Sequence, residues 1–297
     1  MSALPDVSVI IATRGHRERV ALFWRALRTA RDQEGVRVFP IVVLNGPDVD
    51  PQLVRALEAE ANLDVVRLER PSLPAALREG YGRVRTEFFT ALDDDDMVLP
   101  GAFQLRVRTL LEQPELDAVV TNGYRRVDGH EELHVTDGER VRRAPEMALL
   151  SQNWLLPGSW MCRTNRVPDS LLDGIPACRE TTFLALRLAL ETSMTFLDEP
   201  TVVWTADTPN SVSKSRSAKL GGVEAYDRLL ELSPPRPVRQ HLMRERRHAM
   251  HVLAELHWRE GDMARAWWWH LRSFRAHGGW RRLAFTRRLL TSRPPAP

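Results

Sequence analysis

An α/β fold, with a mostly parallel Rossmann-like central sheet and a C-terminal helical extension, is what this 297-residue sequence predicts. Two observations predict it. Short β-branched runs alternate with segments of helical apolar spacing from residue 7 to residue 92, the pattern of a parallel sheet covered on both faces. Beyond the turn Ser233-Pro-Pro-Arg-Pro237 the chain reads as helix, roughly over 238–291.

The elements follow in order. The run Val7-Ser-Val-Ile-Ile-Ala12 stops at Thr13-Arg14-Gly15, as a buried strand does before a loop. Residues 17–31 place Val20, Phe23, Trp24, Leu27 and Ala30 at helical spacing. A strand at Val36–Leu44 ends in Asn45-Gly46-Pro47, a strong turn signal. Leu53–Ala61 then reads as helix, Asp64–Leu68 as strand, Pro74–Val84 as helix and Glu87–Leu92 as strand. In a parallel sheet ligands bind at the carboxyl ends of strands, so the loops at Thr13, Asn45 and Asp93 should share one rim. Helix Ala102–Glu112 and strand Leu116–Thr121 follow, and the polar stretch 122–150 reads as hairpin or loop. Gln152–Arg163 is aromatic-rich, Glu180–Glu191 is helical and Thr195–Trp204 is a strand. The Ser, Lys and Gly content of Asp207–Gly222 predicts a mobile loop. In the tail, His248–Phe274 reads as a helix–turn–helix around Gly261-Asp262.

Composition excludes several classes. No apolar run approaches the roughly 18 residues of a membrane span. The N-terminal apolar run lacks a preceding basic segment, so a signal peptide is not expected. Cys162 and Cys178 are the only cysteines, which argues against a disulfide framework or a four-cysteine zinc site and for reduced thiols in the cytoplasm. Glycine-rich phosphate-loop and nucleophile-elbow motifs are missing, and the basic tail matches no nucleic-acid module.

One stretch demands a physical explanation. Four consecutive aspartates, Asp93 to Asp96, follow directly on the apolar run Phe88–Leu92. Like charges at a buried strand end repel and lose hydration, which makes sense if a cation belongs there; the alternative is a solvated acidic loop with Asp96 as a helix N-cap. Hard divalent ions such as Mg²⁺ bind through one or two carboxylates together with substrate phosphates. Alternation along an extended segment would put Asp93 and Asp95 on one side, Asp94 and Asp96 on the other.

With those residues in view, the chain resembles a family 2 glycosyltransferase of the GT-A fold. The resemblance rests on VSVIIATRG, GYGRVRTEFFTALDDDDMVLPGA, RETTFLALRLAL and LDEPTVVWTADTPNSVSKS, in that order, and covers about Val7–Ser215. It implies a catalytic domain at 1–232, with a nucleotide-binding half at about 1–100 and an acceptor-binding half at about 101–232, followed by the extension at 238–291. It also implies a nucleotide-diphosphate sugar donor, a diphosphate held through Mg²⁺ or Mn²⁺, and transfer with inversion to a carbohydrate, small-molecule or lipid-linked acceptor.

Position by position, the resemblance assigns the metal to Asp95 with Asp93. Asp93, Asp94, Thr13, Arg14, Asn45 and Arg78 fall on the nucleotide-sugar side. Asn45 stands where the family often has a base-reading aspartate, and Leu77-Arg78 replaces its Arg-Asn pair, while Gly80 matches its helix glycine. The family's catalytic Glu-Asp is Glu180-Thr181 here, so Glu180 becomes the expected base and Asp173 the reserve. Trp154 and Trp160 are expected to wall the acceptor pocket. Lys214, Arg216 and Lys219 are expected to form a basic lid over the diphosphate.

Three alternatives stay open. A nucleotidyltransferase would want a glycine-rich loop after the first strand, and ATRGHRER has one Gly. Thr181 at the usual base position leaves room for a nucleotide-sugar-binding protein with weak or no turnover. The tail, with 13 Arg and 4 acidic residues over 239–297, either packs its tryptophans internally or lies on the inner membrane face, near a lipid-linked acceptor. Internal packing is the expectation. The oligomeric state is left open.

Overall fold

The computed structural model describes residues 3–208, 216–274 and 283–291. The chain folds as two compact units, Met1–Pro209 and Asn210–Pro297. The sequence expectation carried the first domain to residue 232, whereas α8 (Arg216–Glu231) groups with the C-terminal unit.

The first unit is built on one nine-stranded sheet, ordered β3-β2-β1-β4-β8-β6-β9-β5, with β7 paired to β6. Its amino-terminal half is β1 (Asp6–Thr13), α1 (Val20–Arg31), β2 (Arg37–Asn45), α2 (Pro51–Ala59), β3 (Asp64–Leu68), α3 (Leu73–Gly82) and β4 (Phe88–Asp93). These four strands run parallel, in register from Val7↔Val38 and Val7↔Phe88 outwards. β1, β4 and the second half of β2 are near-continuous apolar runs because both faces are covered, the requirement of a parallel sheet, while the edge strand β3 is only half-buried. Val7, Val9 and Ile11 of β1 pack with Phe23, Ala26, Leu27 and Ala30 of α1, all buried. On the α3 side, Gly80 comes so close to β1 that a β-carbon there would lie 2.4 Å from Ile10 Cγ2.

Local chemistry starts the helices. Asp50 accepts from Gln52 N at 2.7 Å, with Pro51 opening α2. Ser72 caps α3 by accepting from Ala75 N at 3.3 Å.

The second half of the sheet comprises β5 (Met97–Val98), α4 (Ala102–Glu112), β6 (Ala118–Val127), β7 (His130–Leu133), α5 (Gly138–Arg143), α6 (Pro145–Ala148), β8 (Trp160–Arg163), α7 (Glu180–Glu191) and β9 (Met194–Thr205). Strand β8 runs antiparallel to β4 and β6, while β6 and β9 are parallel. The β6–β9 register shifts at Asn122, opposite Pro200. A proline has no N–H for the ladder, so a bulge is where it fits. Residues 122–150 hold the β6–β7 hairpin and two short helices, so the hairpin is present and the helices are the part not anticipated.

In the C-terminal unit, α8, α9 (Arg236–Arg259), α10 (Met263–Phe274) and α11 (Leu283–Thr291) are all helical. The α9–α10 turn is made at Gly261, whose φ of 79° suits glycine, and Asp262 Oδ1 caps α10 by accepting from Arg265 N at 3.0 Å. Ala254, Trp258, Ala266, Phe285 and Leu289 form one core, with Trp267 and Trp269 packed against it. Trp268 faces outward, its ring covered by the Arg272 guanidinium at 4.5 Å. Among the described tail tryptophans, Trp258 is buried, Trp267 and Trp269 are half-buried and Trp268 is exposed. Among the described residues no helix is long and apolar enough to cross a membrane.

Candidate active site

The carboxyl ends of β1, β2 and β4 lie side by side, because Ala12 pairs with Asp93 and Thr13 with Leu44. Thr13, Asn45 and Asp93 thus share the expected rim. Strand β4 ends at Asp93, and the chain then turns, with Asp96 N donating to Asp93 O at 3.2 Å. This turn breaks the alternation of a fully extended segment. Carboxylate oxygens of Asp93, Asp95 and Asp96 lie within 4.8 Å of one another, so Asp96 joins the cluster rather than facing away. Asp94 is the one that points elsewhere.

Each aspartate is held differently. Asp94 is buried and takes two partners, Thr13 Oγ1 donating at 2.6 Å and Arg19 in a short ion pair. Asp95 Oδ2 lies 3.1 Å from Arg19 Nη2, and its backbone oxygen accepts from Arg25 Nη2 at 2.6 Å and Thr205 Oγ1 at 3.1 Å. Asp96 is fully buried. Its Oδ1 accepts from Thr205 N at 2.9 Å, while its Oδ2 has no hydrogen-bond partner.

The electrostatics follow from four carboxylates facing two guanidiniums, Arg19 beside Asp93, Asp94 and Asp95, and Arg25 beside Asp95 and Asp96. Burial first, then the charges of Asp95, Asp94 and Glu180, push the Asp93 carboxyl up to about 8, with Arg19 opposing. Asp96 is raised well above the carboxylate range by burial and then by Asp93 and Asp95. Even Asp94 is raised, because loss of hydration outweighs Arg19 and Thr13. Arg19 is itself raised: burial would lower it, but Asp94, Asp95 and Asp93 together prevail. The cluster is short of positive charge. Clustered carboxylate oxygens, one of them buried without a partner, are the donor set a hard divalent cation takes, so these residues fit Mg²⁺ or Mn²⁺.

Glu180 opens α7 directly after Arg179, which adopts a left-handed φ of 63°. Burial raises its carboxyl, and its charge is felt at Asp93. Its neighbour Thr181 accepts from Asn153 Nδ2 at 2.9 Å. A carboxyl with raised basicity beside the acidic cluster is placed to take up a proton.

The remaining candidates divide. Asn45 is buried and its Oδ1 accepts from Ser72 N at 2.6 Å, so that oxygen ties β2 to α3. Thr13 is committed to Asp94 and Gly15 N, while Arg14 is exposed beside it. Arg78 and Asp173 pair with each other at 3.2 Å. Arg78 also lines an open depression with Leu68, Ala75, Glu79, Gly82 and Arg83, to which none of the aspartates contributes.

Two expectations need correction. Trp154 and Trp160 are only 1% and 3% exposed, so neither ring face is open to a sugar. Trp154 Nε1 donates to Pro145 O at 2.8 Å, and Trp160 packs edge-on against Phe89. Trp204, which precedes Thr205 in β9, is half-buried, edge-on to His134 at 5.9 Å and covered by the Arg125 guanidinium at 5.9 Å. The basic lid also changes. Arg216 and Lys219 belong to α8, where Arg216 Nε pairs with Glu260 Oε1 at 2.6 Å, and Lys214 lies outside the described residues.

Arg19 and Thr205 are site residues that the sequence patterns do not single out, and Asp96 is one that alternation along the strand expects to face away from Asp93 and Asp95. A signal for Arg19 does exist: His16-Arg-Glu-Arg19 follows the first strand, whose end lies on the rim that carries the aspartates.

The glycosyl transferase family 2 model matches residues 8–170. No curated protein sequence matches the chain. Among solved structures, S. aureus TarS 1-349 in complex with UDP-GlcNAc is similar at TM-score 0.57 and 16% identity, over 84% of this chain and 73% of that one. The complex of the same fragment with UDP gives 0.53 and 16%, over 83% and 71%. TarS 1-349 alone gives 0.52 and 14%, over 88% and 89%. At such identities the likeness is one of fold.

Proposed function

The chain belongs to glycosyl transferase family 2, and on that premise we propose that it is a divalent-cation-dependent, inverting transferase. It would move a sugar from a nucleotide-diphosphate sugar to an acceptor hydroxyl. The observation that carries this is the convergence of Asp93, Asp95 and Asp96 at the carboxyl rim of a parallel sheet. The complexes of TarS with UDP-GlcNAc and UDP support a uridine-nucleotide donor as the first class to test.

Asp95 and Asp93, with Asp96, would hold Mg²⁺ or Mn²⁺. When bound, such an ion offsets the charge that grows on the departing diphosphate. Thr13 contributes by fixing Asp94, and Arg14 is the exposed residue beside it that we assign to the donor. Glu180 is the base. As the acceptor oxygen forms its bond to the anomeric carbon, the bond from that carbon to the diphosphate oxygen breaks. The hydroxyl proton passes to the Glu180 carboxylate, and the nucleoside diphosphate leaves with the electron pair. The acceptor is assigned only as a hydroxyl, whether on a carbohydrate, a small molecule or a lipid-linked carrier.

Calorimetry of UDP binding tests the reading. Tight binding is expected with Mn²⁺ and not with EDTA, and Asp95→Ala should abolish the difference. Equal UDP affinity in Mn²⁺ and in EDTA would remove the cation from the proposal.

A further inference from the structure

We infer that Arg19 is a tethered counter-cation that shares Asp95 with the divalent ion: it offsets part of the cluster's charge in the cation-free protein and gives up Asp95 when the ion binds. The inference rests on the divalent-cation reading above. Asp95 is the residue the two roles have in common. It belongs to the group of three clustered carboxylates, and its Oδ2 also lies 3.1 Å from Arg19 Nη2. Two cations cannot both take that carboxylate at full strength without repelling each other at close range.

The attachments of Arg19 are unequal. Asp94 is outside the group of three, buried, and pinned by Thr13 Oγ1 at 2.6 Å, so its pair with Arg19 is the fixed one. Asp95 is half-buried, and its contact with Arg19 is the exchangeable one. Backbone anchoring of Asp95 does not depend on Arg19, because Arg25 and Thr205 hold the Asp95 carbonyl. The seat is also incomplete for the guanidinium, whose Nε is buried with no hydrogen-bond partner. A planar guanidinium fork suits phosphate oxygens as well as carboxylates, so Arg19 released from Asp95 but kept by Asp94 stays beside the donor's diphosphate. Arg19 is thus a positioning residue for the cation site.

The test uses the full-length protein and Mn²⁺ alone, with free Mn²⁺ followed by electron paramagnetic resonance. Arg19→Gln removes the competitor, so it should bind Mn²⁺ several-fold more tightly than the wild type, and Arg19→Lys should stay close to the wild type. In EDTA, Arg19→Gln should melt below the wild type, and saturating Mn²⁺ should narrow that gap. A merely structural Arg19 predicts the opposite sign, weaker Mn²⁺ binding in the variant. A second measurement needs no variant: phenylglyoxal modification of Arg19 in the wild type, read by mass spectrometry, should speed up when Mn²⁺ is added. Mn²⁺ binding by the wild type with unchanged or weaker binding in folded Arg19→Gln, or Arg19 protection indifferent to Mn²⁺, overturns the inference alone. No Mn²⁺ binding by either protein overturns the cation reading and this inference with it.

Discussion

Glu180 owes its proposed role to two local facts, its position at the first residue of α7 and the burial that raises its carboxyl. A general base is most effective when its pKa lies near the working pH, and it contributes about 10²–10⁴-fold to rate. Glu180→Gln should therefore lower kcat by about that factor while UDP affinity stays close to the wild type. Because the shift is upward, the acidic limb of the wild-type kcat/KM profile should lie above the ordinary carboxylate range. Asp173→Asn should cost much less, since Asp173 is paired with Arg78 and is not among the clustered carboxylates. Steady-state kinetics across pH decide it: a folded Glu180→Gln enzyme with near-normal kcat ends the assignment. The charge run itself is legible in sequence at this scale, because four adjacent carboxylates after a buried strand have no cheap solvated explanation. Its internal partner is not. Arg19 lies 75 residues from Asp94 in sequence, and nothing local to either residue specifies that pairing.

At the scale of elements, period-2 and period-3.6 patterns are enough for β1 to β4 and their helices, whose apolar runs coincide with the buried stretches of β1, β2 and β4 and the buried face of α1. They fail where composition and packing disagree. Residues 216–222 carry Ser, Lys and Gly and read as loop, yet they begin α8, whose Val223, Ala225, Tyr226 and Leu229 are buried. Packing on neighbouring helices outweighs weak helix propensity there. Trp154 and Trp160 mislead for the converse reason, since an aromatic beside a Gly-Ser turn looks available until the neighbouring strands cover it. The α3–β1 contact gives the sharpest test at this scale. Gly80→Ala would drive a β-carbon into Ile10, and overpacking a tight contact typically costs about 1–3 kcal/mol. In urea unfolding, Gly80→Ala should destabilise by that order, and Gly80→Ala with Ile10→Ala should lose less than the two single changes summed. Simple additivity would mean that the helix shifts freely and the close approach is unimportant.

Across the whole molecule, the acidic rim sets how stability responds to pH. The Asp93 carboxyl moves from an ordinary 3.8 up to about 8 in the folded protein, with Asp96, Asp94 and Glu180 raised as well. A group with a raised folded pKa holds a proton in the native state that the unfolded chain has already released. Stability then falls as pH rises, because the native state binds the extra proton. For Asp93 the contribution is fully present below its ordinary value and is lost as pH passes about 8. In EDTA the melting temperature should therefore decline from about pH 5.5 to about pH 8.5. Asp93→Asn should flatten that decline and gain most at the alkaline end, because it removes the charge that burial and its neighbours disfavour. Saturating Mn²⁺ should oppose the decline in the wild type, since an ion held by these carboxylates stabilises their deprotonated forms. The same burial that makes the cluster costly without a cation would make it selective for one. Thermal unfolding at several pH values, with and without Mn²⁺, measures all three effects. A wild-type melting temperature in EDTA that rises between about pH 6 and about pH 8, or an Asp93→Asn profile parallel to the wild type, would show that the rim carboxyls do not hold protons in the folded state.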